Sequence, residues 1–199
     1  MTIGTGKTRG NGMLLIISGP SGVGKTSINR ELVKRLGGVF SVSATTRPKT
    51  PEDTEGEDYY FLSDEEFDRM IEAGEFLEWA EVFDHRYGTP RKPVMENLQA
   101  GRLVIVEVDV RGAEQVKKAI PDAFGLFVLP PSEHDLLDRL RGRKREPEEV
   151  IQRRFAEAQR EIAQARTNGV YDVFIVNRDL PAAIEQACDI VEAEMKKRS

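Results

Sequence analysis

Met13-Leu14-Leu15-Ile16-Ile17-Ser18-Gly19-Pro20-Ser21-Gly22-Val23-Gly24-Lys25-Thr26 carries an apolar run straight into a glycine-rich turn. Gly19 to Thr26 fits G-x-x-x-x-G-K-[ST], and the following residues, Ile28 to Leu36, have the spacing of a helix. A strand, a glycine loop and a helix in this order make a phosphate cradle. Glycines let successive backbone N–H groups turn inward, the helix presents its positive end, Lys25 adds a full charge, and Thr26 offers a hydroxyl to Mg²⁺. The expected ligand is a nucleoside triphosphate, held by Gly19, Pro20, Ser21, Gly22, Val23, Gly24, Lys25 and Thr26. A near-copy upstream, Gly4-Thr5-Gly6-Lys7-Thr8, lacks both the earlier glycine and a preceding strand, so residues 1–12 read as a flexible polar tail.

The bulk numbers bound what surrounds this loop. At 199 residues the chain supports one sizeable core with small insertions. No apolar run approaches the roughly 18 residues of a membrane helix, and the start is a poor signal peptide, which together predict a cytoplasmic protein without a membrane partner. The single cysteine, Cys188, shares a helical stripe with Ile184 and Val191 and reads as a packed thiol. A net charge of −5 argues against nucleic-acid binding.

Beyond the loop, strand-like and helix-like segments alternate, the signature of a mostly parallel sheet covered by helices. Strands are expected at Met13–Ser18, Leu103–Val108, Ala123–Leu129 and Val173–Val176, and helices at Lys25–Leu36, Arg91–Gln99, Gly112–Ile120, Glu133–Leu140, Val150–Arg166 and Pro181–Lys196. Residues 45–87 break the rhythm and read as an inserted subdomain with strands of its own. A second break, dense in arginine and lysine at about 141–150, reads as a mobile lid. The core is then 13–44 with 88–199. Glu107 and Asp109 lie two apart and so share one face near the carboxyl end of one expected strand, where open parallel sheets bind ligands; one of the pair could instead only cap the next helix.

In sequence order, Ser18–Thr26, Ser41–Arg47, Gly56-Glu57-Asp58-Tyr59, Phe76–Ala80, Tyr87-Gly88-Thr89, Pro130-Pro131-Ser132, Arg139–Arg143 and Ile175-Val176-Asn177 resemble the guanylate kinases over nearly the whole chain from Met13 to about Val191. The resemblance implies an α/β P-loop kinase fold with a central parallel sheet flanked by helices, an inserted monophosphate-binding subdomain and a lid. It implies transfer of the γ-phosphoryl group of ATP to GMP, with Mg²⁺, by a monomer or homodimer. Arg47, Tyr59 and Tyr87 would hold the acceptor phosphate; Ser43, Glu78 and Thr89 would meet guanine, with Asp109 nearby. Arg139, Arg143 and Arg154 match positions that contact ATP phosphates, so Lys25, Arg47 and these three form the expected catalytic set. Asn177 falls among the ATP-binding motifs, and Glu107, with Thr26, matches a position near the metal.

The chemistry of these residues agrees. A guanidinium forks onto phosphate, tyrosine hydroxyls donate to it, and a carboxylate accepts both donors on the N1 and N2 edge of guanine. Two departures stand out. Family members carry a second phosphate-binding arginine where this chain has Thr50, so either Lys49 substitutes or GMP is held less firmly, and Lys144 replaces a lid glycine. Two other functions share these motifs: a phosphopeptide-binding module of the same fold, and a kinase of another phosphorylated acceptor. Retention of Lys25, Thr26 and the arginines disfavours the first, and Glu78 with Ser43 and Thr89 disfavours the second.

Overall fold

The structure, a computed structural model, describes residues 12–82, 84–142 and 147–198. β1 (Met13–Ser18) is buried throughout, and its pleat sends alternate side chains to opposite sides of one sheet. Met13, Leu15 and Ile17 join a core with α1 (Lys25–Leu36) and α7 (Leu180–Arg198). Leu14 and Ile16 join another with α3 (Arg91–Gln99) and α4 (Val110–Ala119). Cover on both faces explains why the strand is an unbroken apolar run. Cys188 packs in the first core, where burial pushes its thiol pKa up, so it behaves as an inert apolar group.

That sheet has the order β2 (Val39–Phe40), β7 (Leu103–Glu107), β1, β8 (Phe124–Leu129), β9 (Val173–Val176), with every neighbouring pair parallel. Ile17 lies opposite both Glu107 and Leu126, so the loop after β1 opens centrally at the carboxyl edge, with Glu107 beside it. Among the described residues no helix is long and apolar enough to cross a membrane.

A second sheet, ordered β4 (Tyr59–Phe61), β3 (Ser43–Thr45), β6 (His85–Pro90), β5 (Phe76–Val82), is mixed, with β3 parallel to β4 and antiparallel to β6. α2 (Asp64–Glu72) starts at a capping box in which Ser63 and Glu66 satisfy each other's backbone N–H groups. It closes a small core of Ala44, Phe67 and Phe76 against that sheet. The chain enters this unit through β3 and leaves through β6, so its strands run from Ser43 to Pro90, slightly wider than the expected 45–87. α5 (Glu133–Gly142) and α6 (Glu148–Thr167) pack Leu136, Leu140, Ile151 and Ala158 into another small cluster. Of the expected lid, residues 143–146 lie outside the described residues, as do residues 1–11 of the expected tail.

One expectation about the sheet edge is corrected. β7 ends at Glu107, and Asp109 stands beyond it as the N-cap of α4, its side chain accepting from the Gly112 N–H at 2.7 Å. The cap starts α4 two residues before the expected Gly112, because an aspartate that satisfies a first-turn N–H makes Val110 the first helical position. Asp109 therefore does not share a strand face with Glu107.

Candidate active site

The phosphate loop is held in shape by backbone constraints that only glycine meets. At Gly19 (φ 150°) a Cβ would lie 2.4 Å from the Val128 carbonyl oxygen, and at Gly24 (φ 100°) it would lie 2.6 Å from Nδ2 of Asn177. Lys25 Nζ folds back to donate to the carbonyls of Gly19 at 2.6 Å and Pro20 at 3.3 Å. The loop lines a cleft of about 350 Å³ with Ser21, Gly22, Lys25, Thr26 and Glu107 on its wall. Thr26 is solvent-exposed at the mouth of that cleft.

Two of the three lid arginines reach the loop region. Arg154 on α6 donates to Ser21 Oγ at 2.5 Å, and Arg139 on α5 donates to the Asn177 carbonyl at 2.8 Å. Arg143 lies outside the described residues. Asn177 itself is 3% exposed and donates its amide to the Val23 carbonyl at 2.8 Å. It braces the loop from beneath through that bond, one residue beyond the end of β9. Arg141 and Glu148 form an ion pair between the two helices, which fits a supporting charge.

A second cleft of about 500 Å³ abuts the first. It shares Thr26 and Glu107 with it and adds Asn29, Arg30, Ser43 and Tyr59. Tyr59 packs edge-on to Tyr87, with ring centroids 5.7 Å apart. Burial raises the Tyr59 pKa and so keeps its hydroxyl a donor. Arg47 lies over the rings of Tyr59 and Phe61, 5.4 Å from each centroid, and its fork grips Asp53 through two 2.9 Å hydrogen bonds. Asp53 also accepts from the backbone N–H and hydroxyl of Thr50, and the Arg47 fork foremost holds its carboxyl well below the usual carboxylate range. Lys49 shares the Phe61 ring with Arg47, its Nζ 5.9 Å from the centroid.

Glu78 and Thr89 are buried polar residues of the second sheet. They are adjacent across β5 and β6, and Thr89 Oγ1 donates to Glu78 Oε1 at 2.6 Å. Glu78 is 7% exposed, and burial foremost pushes its pKa up to about 7, with Asp109 nearby adding to the rise. Its other oxygen lies close over Gly112, where a Cβ would stand 2.9 Å away and the carboxylate would have to shift. Ser43, Tyr59 and Glu107 thus line one cleft, while Glu78, Thr89 and Asp109 gather against the first turn of α4.

Two residues of this region carried no motif in the sequence. Asp53 belongs to a polar turn and becomes meaningful only through Arg47. Asn29, on α1, donates to Glu107 Oε2 at 2.6 Å, and only the packing of α1 against β7 brings the pair together.

The comparisons with known proteins agree with this geometry. A family model for guanylate kinase matches residues 11–194. The guanylate kinase of Thermobifida fusca (strain YX) is 48% identical over 177 residues, which cover 88% of this chain and 87% of that protein. That of Hyphomonas neptunium is 46% identical over 196 residues, covering 96% and 89%. Among solved structures, a guanylate kinase from Anaplasma phagocytophilum aligns with TM-score 0.71 and 32% identity over 92% of this chain and 86% of that one. A gluconokinase from Sinorhizobium meliloti aligns with TM-score 0.51 at 17% identity, a likeness of fold alone. With the family model matched across nearly its whole length, and relatives this similar at this coverage, the chain belongs to the guanylate kinase family.

Proposed function

We propose that this protein transfers the γ-phosphoryl group of ATP to GMP, giving ADP and GDP, with dGMP as a further acceptor. The observation that carries this reading is the shared wall of the two clefts: Thr26 and Glu107 line both, so a triphosphate on the loop would meet a monophosphate held beyond it. An oxygen of the GMP phosphate attacks the γ-phosphorus as the bond to the ADP oxygen breaks, and no protein nucleophile is needed. The protein's task is alignment and charge stabilisation.

Lys25 and the loop would hold the ATP phosphates, with Arg139, Arg143 and Arg154 supplying cations to the transferring group. Arg47, Tyr59 and Tyr87 would take the GMP phosphate, Arg47 exchanging its carboxylate partner for phosphate. Glu78, Ser43 and Thr89, with Asp109 nearby, would read guanine. Because Asn177 braces the loop, its part in ATP binding is indirect. The hydroxyl of Thr26 and the carboxylate of Glu107 are hard oxygen donors of the kind Mg²⁺ takes alongside phosphates and water. Among the described residues no group of three His, Cys, Asp or Glu could hold a metal ion. Bound beside Thr26 and Glu107, Mg²⁺ would neutralise charge on the ATP phosphates.

We take residues 45–87 as the mobile GMP-binding unit, about 141–150 as the lid, and the remainder of the core as the ATP-binding base. We place the protein in the cytoplasm as a monomer or homodimer. A phosphopeptide-binding role is disfavoured by the intact loop with Lys25 and Thr26, by the bond of Arg154 to Ser21 of the loop, and by that of Arg139 to Asn177 beside it. ADP release from ATP, measured with GMP, AMP, UMP and CMP in turn, tests the proposal. Turnover with GMP alone is expected, equal turnover with AMP would refute guanine selection, and no turnover with any acceptor would favour the binding module.

A further inference from the structure

Asn29 is 3% exposed in the interior of α1, yet it faces the site and has no place in the roles above. It stands four residues after Lys25, on the same face of the helix. Its Nδ2 donates to Glu107 Oε2 at 2.6 Å, and its Oδ1 is buried without a hydrogen-bond partner among the described residues. The other oxygen of Glu107 stands 3.9 Å from Lys25 Nζ, beyond hydrogen-bonding range. Lys25 meanwhile donates to two loop carbonyls.

A carboxylate and an ammonium that are mostly shielded from water, with side chains 27% and 15% exposed, attract strongly. A charge-assisted bond would close to about 2.8 Å. The loop carbonyls hold the ammonium and the short bond from Asn29 holds the carboxylate, and between them the two charges stay apart. We propose that Asn29 is a positioning residue of the donor site: it fastens Glu107 at the junction of the two clefts and keeps its carboxylate from closing further on Lys25, the ammonium assigned to the phosphates of ATP. The inference rests on the phosphotransferase reading above, since it assigns Lys25 to ATP.

Without Asn29, Glu107 would close on Lys25 and compete with the incoming phosphates. The amide also leaves a buried acceptor unpaired, which is unfavourable for the fold. Asn29→Leu, of similar size, should therefore keep or raise the melting temperature while weakening ATP binding. The test is a double-mutant cycle read by ATP affinity in the presence of EDTA, in the full-length protein without acceptor. It compares wild type, Asn29→Leu, Glu107→Gln and the double variant.

The expected result is a rise in the ATP Kd of about 5- to 10-fold for Asn29→Leu, the effect of one competing ion pair. In the Glu107→Gln background the same substitution should change Kd less than about twofold, since a neutral side chain has no attraction to Lys25. Equal losses in both backgrounds, or no loss in either, would overturn the positioning role while leaving the enzyme reading intact. Wild-type protein that fails to bind ATP would overturn both. If leucine does not pack, Asn29→Ala, which only removes atoms, answers the same question.

Discussion

The phosphate loop and the acceptor unit show two ways of building a site for an anion. The loop draws its groups from one contiguous stretch, and backbone geometry does the holding: Gly19 and Gly24 admit close neighbours, and Asn177 props Val23 from beneath. The proposed acceptor site would draw Ser43, Arg47, Tyr59, Glu78, Tyr87 and Thr89 from four strands and a turn. Its charged groups are already engaged, Arg47 by Asp53 and Glu78 by Thr89 in a setting that pushes the Glu78 pKa up to about 7. A backbone cradle can stand ready for its ligand. A side-chain cradle needs internal partners until the ligand displaces them, so the donor half should tolerate little change and the acceptor half should be tunable.

Lys25→Ala attacks the preformed half and should have the largest effect. Loss of one preorganised charge should lower kcat by at least about 100-fold, with circular dichroism and melting temperature near those of the wild type. Near-normal turnover in a folded variant would remove Lys25 from the chemistry.

Thr50→Arg sharpens the contrast from the other side. Thr50 now only caps Asp53, and an arginine there would add a cation beside Arg47. The KM for GMP should fall several-fold with little change in kcat, because the gain lies in ground-state phosphate binding. If neither constant moves while Lys49→Ala weakens GMP, then Lys49, beside Phe61, already fills that place.

A different readout, stability, probes the acceptor half. The carboxyl of Glu78 is raised from 4.5 to about 7 on folding, so its contribution to stability is full below pH 4.5 and is lost as pH rises through about 7. At pH 8 the buried charge costs on the order of 3 kcal/mol. Glu78→Gln should melt about 6 to 12 °C higher than wild type at pH 8 and at nearly the same temperature at pH 4. An unchanged gap at both values would mean that Glu78 is not held in a charge-averse environment.

These differences also explain what could be seen before any coordinates. Whatever depends on contiguous residues was legible: β1 and α1 have the expected bounds, because an apolar run, a glycine loop and a helical stripe are local signals. The second sheet was legible as an interruption, although its pairing of β3 between β4 and β6 was not. Asp109 shows the limit at a boundary, since the same aspartate suits a strand end or a helix cap, and only the Gly112 N–H decides. Asn29 and Asp53 were invisible because their roles lie in partners 78 and 6 residues away, and no short pattern marks either. Asn177 fell in a recognisable motif, but its burial beneath the loop is a tertiary fact.

In the proposed reaction, guanine selection falls to the ionised carboxylate of Glu78. The decisive measurement is kcat/KM for GMP and for AMP from pH 5.5 to 9, in wild type and in Glu78→Gln. Guanine donates from N1 and N2, whereas adenine offers a lone pair at N1 and would leave buried acceptors facing each other, so the wild type should prefer GMP by roughly 10⁴-fold. Its efficiency with GMP should rise with pH through about 7 as Glu78 ionises. Glu78→Gln should lose most of that preference and the pH limb together. A variant that kept both would contradict the claim.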